Sequence, residues 1–482
     1  MSIDLSLSRV RKVLDSLPYT RPTLHIAGTN GKGSVSAILS SILLASSPPY
    51  RVGRFNSPHL VSILDCIVID GKPVPQTVYD EARQEVQHAD KLQETQLTSF
   101  ETLAMTALRV FEKANVDIVV LEVGMGGRLD ATNVVPDSCI LASALTAVDL
   151  DHQAFLGNTV EAIAREKAAI ARPGRHFVLG KQKHPSVEAV VRQCVADAGA
   201  IIHNSVKVDI DDNGITAPWS LIDLGGSDDV SPPPQAVKFV LESFADPVHA
   251  NFPLHGAHQL DNLGTALGML DVLLCEENND ALHRLGLKSR VSPASIKQGI
   301  ENVKWPGRLS FHTVSVGPGR RLVVLADGAH NAASATTLGD YLNHLFDLTS
   351  VSRNDIPITY ILSLSHSPPK TPLETLSPLL QPARSSRVRI ALLRFTPPEG
   401  MPWVKSVPPE DIRAAVKSIL PEVAEDDVWV AEGDNSLEDA FLWAADNHLD
   451  KERGTNRGLV VLAGSLYLVA DFYRLLERGA VP

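Results

Sequence analysis

The chain has 482 residues, a formal net charge of −12, 44% hydrophobic residues and 21% charged residues, a composition typical of soluble globular proteins with two or three domains. The acidic balance argues against a nucleic acid as the main partner. No apolar run approaches the roughly 18 residues that a membrane span requires, so we expect no membrane partner either.

The cysteines and the first residues bear on the cell compartment. The four cysteines are far apart and form no C-x-x-C pair, which argues against a disulfide scaffold or a zinc site and favours a reducing compartment. The N-terminus has no apolar signal segment, carries Asp4 and is not rich in arginine. We therefore expect a cytoplasmic protein.

Helix and strand patterns alternate along the first part of the chain. The spacing of apolar residues predicts helices over residues 5–17, 35–44, 76–92 and 98–114, and strands over 24–27, 50–55, 63–69, 117–123 and 140–148. Asn158 and Glu161 resemble a helix N-cap and its partner three residues later, for a helix that ends at residue 170. This alternation predicts a doubly wound α/β sheet.

Residues 28–34, Gly-Thr-Asn-Gly-Lys-Gly-Ser, have the pattern of a phosphate-binding loop. They lie between a predicted strand and a predicted helix, where backbone N–H groups can converge on a polyphosphate. Lys32 can reach the β- and γ-phosphates, and Ser34 can offer its hydroxyl to magnesium. The spacing departs from G-x-x-x-x-G-K-[ST] because Gly33 separates Lys32 from Ser34. An ordinary glycine-rich turn is the alternative.

Glu122 lies at the end of predicted strand 117–123 and is followed by the glycine-rich stretch 124–133. In open α/β sheets the carboxyl ends of the strands carry the site, and the phosphate loop leaves from the same edge. A carboxylate there can hold magnesium directly or through water. A carboxylate that caps a glycine turn is the alternative.

The second part of the chain has no phosphate loop of its own. Residues 203–238 are loop-rich, and we infer no function for them. Residues 305–308, Trp-Pro-Gly-Arg, predict a hinge. Predicted strands follow at 322–326, 358–364, 389–395, 428–431 and 459–463. We therefore predict a first domain over residues 1–304 and a second α/β domain over residues 305–482.

Taken together, these stretches resemble the folylpolyglutamate synthase and dihydrofolate synthase family, within the Mur ligase superfamily. The matching motifs occur in family order, over about residues 5–475, at 28–34, 57–60, 122–133, 151–152 with 156–157, 166–168, 305–308, 327–331 and 464–467. The resemblance implies an N-terminal P-loop ATPase domain and a C-terminal Rossmann-like domain.

The resemblance also implies a reaction. ATP would phosphorylate a pteridine-linked carboxylate, and the amine of L-glutamate would attack the resulting acyl phosphate and release phosphate. Such phosphoryl transfer depends mostly on positioning and on charge stabilisation by magnesium and cationic side chains. The implied cofactors are ATP and one or two Mg²⁺ ions.

Residue roles follow from the matching motifs alone. The phosphates would be held by the loop residues Gly28, Thr29, Asn30, Gly31, Lys32, Gly33 and Ser34. Asn262, Arg308 and Asp327 match the other ATP contacts. Magnesium ligands would be Ser34, Ser57, Glu122, His152 and a carbamylated Lys167. Asp130 matches a pterin contact, whereas His330 and Ser465 match residues near the glutamate side. Of these, we name Lys32, Lys167, His330 and Ser465 as catalytic.

Three positions depart from the family pattern. Asn56 and Ala169 replace a common threonine and glycine, and we expect neither to touch an inferred ligand. Residues 365–369 lack a familiar His-Gly-Lys sequence near the nucleotide side.

Segments 99–101, 305–309 and 399–403 are similar to those of monofunctional fungal dihydrofolate synthases. We therefore predict a monomer that joins L-glutamate to 7,8-dihydropteroate with ATP, all small-molecule partners. A folylpolyglutamate synthase, which extends the glutamate tail of tetrahydrofolate, shares the catalytic motifs and is the alternative. A non-catalytic nucleotide-binding module would not need Glu122, His152 and Lys167 beside a phosphate loop. The folate-type segment 129–133 disfavours a Mur-type cell-wall ligase.

Overall fold

The structure, a computed structural model, describes residues 6–211, 231–277, 279–317, 320–347, 356–381, 388–401, 403–433, 436–448 and 458–479. The chain forms two compact units, which divide between Trp305 and Pro306. Within the described residues, the first unit contains 6–211 and 234–305, and the second contains 231–233 and 306–479. The functional assignment of domains 1–304 and 305–482 stays a prediction.

The first unit is built around a mainly parallel sheet. Its strands are β1 (Thr23–Ala27), β2 (Val52–Phe55), β3 (Ile67–Ile69), β4 (Lys72–Pro73), β5 (Ile118–Glu122), β6 (Ile140–Leu145), β7 (His176–Leu179) and β8 (Ile201–Asn204). They are arranged in the order β4-β3-β2-β5-β1-β6-β7-β8. The six strands from β2 to β8 in this order are parallel, whereas β3 and β4 are added antiparallel at one edge.

Helices cover this sheet. They are α1 (Ser8–Ser16), α2 (Lys32–Leu44), α3 (Gln76–Leu92), α4 (Ser99–Lys113), α5 (Gln153–Leu156), α6 (Val160–Ala168), α7 (Pro185–Asp197), α8 (Ala257–Cys275), α9 (Asp280–Leu285), α10 (Leu287–Arg290) and α11 (Pro293–Glu301). Every residue of β1 and of β5 is buried. This confirms the prediction, made from their mostly apolar runs, that both strands are covered on both faces of the sheet. Helix α2 buries Ile38, Leu39 and Ile42 in the same core, and each such side chain contributes about 1.5–3 kcal/mol.

Three predictions about local structure need correction. In the described parts of segment 203–238, the loop-rich prediction missed two strands, β9 (Val208–Ile210) and β10 (Gln235–Phe239), which form an antiparallel sheet with β11 (Val248–Phe252). Every second residue of β11 is buried, which holds this small sheet on the core. Residues 212–230 of the segment lie outside the described residues.

The other two corrections concern a helix cap and a strand. Helix α6 is capped by Thr159, whose hydroxyl accepts from the Ala162 N–H at 3.2 Å, and not by Asn158. The predicted strand 63–69 begins as a 3₁₀ turn, Ile63–Cys66, which a Ser62–Asp65 capping box stabilises, and only β3 is extended.

The second unit contains a six-stranded sheet. Its strands are β12 (Ser310–Ser315), β13 (Arg321–Ala326), β14 (Ile358–Leu362), β15 (Val388–Leu392), β16 (Val428–Val430) and β17 (Leu459–Ala463). The order is β12-β13-β17-β14-β15-β16, and only β12 is antiparallel to its neighbour. The helices are α12 (Ala332–Asp347), α13 (Pro372–Leu380), α14 (Pro409–Ile419), α15 (Leu437–His448) and α16 (Leu466–Glu477).

Both units thus have the α/β architecture predicted from the sequence, with parallel strands at the centre of each sheet. Among the helices of the described residues, none combines the length and the apolar character needed to cross a membrane.

Candidate active site

The loop between β1 and α2 is held by the end of β6. The backbone N–H groups of Thr29 and Asn30 donate to the Ala147 carbonyl at 2.9 and 3.2 Å. The Thr146 hydroxyl donates to the Asn30 carbonyl at 2.7 Å. Because β6 is the parallel neighbour of β1, the loop lies at the carboxyl edge of the sheet, where phosphate loops of α/β folds lie.

Two glycines of this loop are required by their neighbours. Gly31 caps α2 with a φ of 95°, and a Cβ atom there would lie 2.2 Å from Oδ1 of Asn262. A Cβ atom on Gly33 would lie 2.4 Å from Cζ2 of Trp305. The glycine that departs from the usual spacing therefore makes room for an aromatic ring. Asn262, predicted from its motif, does reach the loop.

Two lysines converge on the same loop carbonyl. Nζ of Lys32 donates to the carbonyl of Gly28 at 3.1 Å and to that of Thr29 at 3.3 Å. Nζ of Lys167, on α6, donates to the Gly28 carbonyl at 2.9 Å. Lys32 also lies 3.7 Å from Oε1 of Glu122. Two lysine amines that are 135 positions apart in the chain thus meet at one loop carbonyl.

Lys167 is a buried lysine, only 3% exposed. Burial, and secondly the charge of Lys32, lower its pKa to about 7, while Asp151, Asp130 and Glu122 oppose that shift. A large fraction of this amine is therefore uncharged at neutral pH.

Glu122 is 5% exposed and lies at the end of β5, beside the phosphate loop. Nδ2 of Asn56 donates to Oε2 of Glu122 at 2.6 Å and to the hydroxyl of Ser36 at 2.6 Å. The expectation that Asn56 touches no inferred ligand is therefore wrong. Its amide orients the carboxylate that was predicted to hold magnesium, because a buried carboxylate needs hydrogen-bond donors.

The other predicted magnesium ligands lie on neighbouring segments. Ser34 is buried in the first turn of α2, and Ser57 directly follows Asn56. His152 is exposed, with a φ of 50°, and its backbone N–H is held by the carboxylate of Asp151 at 2.8 Å. Within the described ranges, no group of three or more His, Cys, Asp or Glu side chains is placed to hold a metal ion. The ligand set of Ser57, Glu122, His152 and Lys167 stays a prediction.

Asp130, the predicted pterin contact, organises the glycine-rich stretch. Its carboxylate accepts from the Met125 N–H at 2.8 Å, the Thr132 N–H at 3.0 Å and the Thr132 hydroxyl at 2.6 Å. Burial raises the pKa of Asp130, and these hydrogen bonds oppose the rise. The carboxylate is thus engaged in shaping its own loop, and its contact with a pterin stays a prediction.

In the second unit, Asp327 and Arg308 lie at the carboxyl end of β13. The Asp327 carboxylate accepts from the N–H groups of Leu309 and Ala329, both at 2.8 Å. Burial raises the pKa of Asp327, whereas the charge of Arg308 opposes the rise. Gly328 leaves the space for the arginine, since a Cβ atom there would lie 2.6 Å from Nη1 of Arg308. The two predicted ATP contacts of this unit therefore lie on neighbouring segments, next to each other.

His330 and Ser465 follow two adjacent parallel strands, β13 and β17. Nδ1 of the exposed His330 donates to the Gly328 carbonyl at 2.8 Å. Ser465 is 1% exposed and caps α16, since its hydroxyl accepts from the Tyr467 N–H at 3.2 Å. The hydroxyl of Ser365, in the segment that lacks the family His-Gly-Lys, lies 3.3 Å from that of Ser465.

Comparison with known proteins identifies the family of this chain. The sequence model described as "Dihydrofolate synthetase, C-terminal domain" matches residues 312–475. The dihydrofolate synthetase of Saccharomyces cerevisiae is 33% identical over 98% of this chain and 98% of its own length. The chain belongs to the folylpolyglutamate synthase and dihydrofolate synthase family.

Two further relatives support membership of this family. The probable dihydrofolate synthetase of Schizosaccharomyces pombe is 29% identical over 99% of both chains. A structure of Mycobacterium tuberculosis folylpolyglutamate synthase complexed with ADP has a TM-score of 0.73 and 27% identity, and covers 98% of this chain and 95% of that one. The two-unit α/β architecture is therefore that of the family.

Two residues at the site of this family member escaped sequence reasoning. Asn56 was treated as remote from ligands, although it directly precedes Ser57. Arg54, on β2, stacks its guanidinium over the ring of Trp305 at 5.1 Å. The available signal was a charged residue inside a short predicted strand at the site edge.

Proposed function

We propose that this chain is an ATP-dependent ligase that joins L-glutamate to 7,8-dihydropteroate and forms 7,8-dihydrofolate, ADP and phosphate. The observation that carries the chemistry is the convergence of Lys32, Lys167 and Glu122 on one phosphate loop at the sheet edge. The full-length similarity to two dihydrofolate synthetases favours dihydropteroate as the acceptor.

In the first step a carboxylate oxygen of the acceptor attacks the γ-phosphorus of ATP, and the bond to the β-phosphate oxygen breaks. Lys32 is the cation within reach of that phosphate, and the N–H groups of the α2 N-terminus add partial positive charge. In the structure Lys32 rests on the carbonyls of Gly28 and Thr29, and bound phosphate oxygens would compete with those carbonyls for its donors.

In the second step the glutamate amine attacks the acyl carbon, and phosphate leaves. The incoming ammonium must first lose a proton. Because Nδ1 of His330 donates to Gly328, Nε2 is the basic nitrogen of its neutral ring. We propose that His330, with Ser465 nearby on the adjacent strand, serves the glutamate side of this step.

The donors around the loop fit a hard divalent cation, because the Glu122 carboxylate and the hydroxyls of Ser34 and Ser57 are oxygen ligands. When bound, magnesium would neutralise charge on the transferring phosphoryl group. Asn56 would keep the Glu122 carboxylate oriented for that ion. His152 is a softer donor, and its assignment rests on the family motif.

Carbamylation of Lys167 is part of the proposal. Its burial and a pKa lowered to about 7 leave much of the amine uncharged, and only an uncharged amine adds to carbon dioxide. The product is a carboxylate-like oxygen ligand beside Glu122. Intact-protein and peptide mass spectrometry under bicarbonate, with the Lys167→Arg variant as control, tests this modification.

One parallel assay tests the acceptor. Purified protein receives MgATP and labelled glutamate with either dihydropteroate or tetrahydrofolate. A pocket built for the short acceptor would misplace the longer one, and displacement by about 1 Å can lower a rate on the order of a hundredfold. We expect glutamate incorporation with dihydropteroate and much less with tetrahydrofolate. Equal incorporation would indicate a bifunctional enzyme, and incorporation with tetrahydrofolate alone a folylpolyglutamate synthase.

The proposal extends to the setting of the enzyme. We infer that residues 1–304 carry the phosphate loop for ATP, and that residues 305–482 add the ATP contacts Arg308 and Asp327 and serve the glutamate side. A monomer in the cytoplasm remains the expected state, and light scattering of the purified protein and imaging of a tagged copy test these two points.

A further inference from the structure

Arg54 lies in β2, the strand that pairs with β5, and β5 ends at Glu122 of the candidate site. In the sheet register Arg54 is level with Val120 of β5, which in turn is level with Leu24 of β1. Glu122 follows Val120 by two residues, so Arg54 and Glu122 project from the same face of the sheet. The guanidinium of Arg54 therefore belongs to the same face as the carboxylate at the phosphate loop.

The guanidinium has one close contact, the ring of Trp305, with Cζ of Arg54 5.1 Å from the ring centroid. Trp305 in turn packs against Gly33, where no side chain could be placed. The stack Arg54–Trp305–Gly33 thus brings a cation to the phosphate loop. It also accounts for the glycine inserted between Lys32 and Ser34.

Arg54 is half-buried, and the Nε end of its guanidinium is the part that is shielded from solvent. Nε of Arg54 is shielded from solvent without a hydrogen bond, and Arg54 forms no ion pair with any described residue. An arginine carries five N–H donors in one plane, and stacking on an aromatic face leaves that plane's edge available to a planar or tetrahedral oxyanion. Leaving the Nε donor buried without an acceptor is costly, and an oxyanion at the guanidinium edge would offset that cost.

The nearby carboxylate does not satisfy this cation. Glu122 already accepts from Asn56 and pairs with Lys32. Burial lowers the pKa of Arg54 to about 10, and Glu122 opposes the shift, so the guanidinium remains charged at neutral pH. Together with Lys32, it places two cations beside the single carboxylate of Glu122 at this edge of the sheet, an arrangement that suits a polyanion.

We propose that Arg54 is an additional phosphate-binding residue of the nucleotide site, which donates hydrogen bonds from its free edge to oxygens of the bound nucleotide while Trp305 holds it in place. This inference rests on the proposed nucleotide-dependent function. In this proposal Trp305 positions Arg54, and Gly33 leaves the space that the Trp305 ring occupies.

Calorimetric titration with ADP and with the ATP analogue AMPPNP, both with magnesium, tests the proposal on wild type, Arg54→Gln and Arg54→Lys. We expect Arg54→Gln to weaken both nucleotides about tenfold to a hundredfold, since hydrogen bonds to charged groups contribute about 1.5–3 kcal/mol. Arg54→Lys should retain part of the affinity, because it keeps the charge but not the planar donor pair. Arg51→Gln, an exposed arginine on the residue before β2, is the matched control and should bind like wild type.

Thermal unfolding without nucleotide separates this role from a structural one. Arg54→Gln removes a cation whose Nε is buried without a partner, so it should leave the unfolding temperature unchanged or raise it. If Arg54 had a structural role, the same substitution would lower the unfolding temperature. Nucleotide affinity equal to wild type in Arg54→Gln, or a change confined to the KM of the acceptor, would overturn the proposal. Failure of the wild-type protein to bind either nucleotide would instead overturn the proposed function.

Discussion

The two units use their polar residues differently at the same position in the fold. In the first unit, Lys32, Lys167 and Glu122 direct charged groups at a loop carbonyl and at one another. In the second unit, Asp327 and Ser465 accept from backbone N–H groups, which for Asp327 lie in its own turn and in the segment before β12. Both sets follow parallel strands at the carboxyl edge of a sheet. Sheet topology therefore creates a place for a site. The hydrogen-bond and ion-pair partners of the polar groups there determine whether those groups can act on a ligand or stabilise a turn.

The largest expected effect is that of Lys32→Ala. Lys32 is the first-unit cation proposed to stabilise the negative charge on the transferring phosphoryl group. Its loss should therefore lower kcat/KM by about 10³-fold. Steady-state assays measure it, and thermal unfolding should show a folded protein. Lys12→Ala, an exposed lysine on α1, is the control. Turnover like wild type in Lys32→Ala would remove the phosphate-loop assignment.

Glu122→Gln should have the next largest effect. The variant keeps the shape and the hydrogen bond from Asn56 but removes the charge, so we expect activity to fall by a few hundredfold (about 3 kcal/mol) and to need more magnesium. A magnesium titration of the initial rate measures both. Glu81→Gln, an exposed carboxylate with 67% side-chain exposure, should change neither. An unaltered rate and magnesium dependence in Glu122→Gln would contradict the metal assignment.

A buried histidine of the second unit, His448, should make the free energy of unfolding depend on pH. His448 is 3% exposed, and its Nε2 lies 2.8 Å from the Thr359 hydroxyl. Burial first, and then Arg389, lower the pKa of His448 to about 4. The unfolded chain therefore binds more protons between pH 6.5 and 4, so stability is lost as the pH falls through this range, by at most about 3 kcal/mol from this residue.

Urea unfolding at pH 7 and pH 4.5 measures this effect in wild type and His448→Gln. We expect the acid-induced loss of stability to be smaller in the variant. His344→Gln, a substitution of an exposed histidine on α12, is the control and should lose as much stability as wild type. An equal loss in wild type and His448→Gln would show that other groups dominate the acid response.

The smallest effect is expected at Asn56. Asn56→Ala removes a hydrogen bond to the Glu122 carboxylate and should lower activity about tenfold. Asn56→Thr, which introduces the residue common in the family, should retain more activity because a hydroxyl can still donate. If the alanine and wild-type rates coincide, the orientation of Glu122 does not depend on this amide.

Much of the fold follows from short-range patterns in the sequence. The continuous apolar runs at β1, β5 and β17 predicted buried strands, since only strands covered on both faces need every residue apolar. The glycines and Lys32 before and at the start of α2 predicted a phosphate loop, because they lie between a predicted strand and a predicted helix. The antiparallel strands β9 to β11 escaped prediction, because β9 has only three residues and pairs with β10 across a long intervening segment.

The sequence by itself determined the α/β class, the order of the elements and the motifs that identify the family. Three contacts came from the tertiary fold alone: Lys167 is buried beside Lys32, Asn56 binds Glu122, and Trp305 contacts both Gly33 and Arg54. Periodicity reports which face of an element is apolar, but it carries no information on which distant residues meet. Those contacts arise when parallel strands bring their carboxyl ends to one edge, and there burial shifts a lysine pKa that the local sequence leaves at its ordinary value.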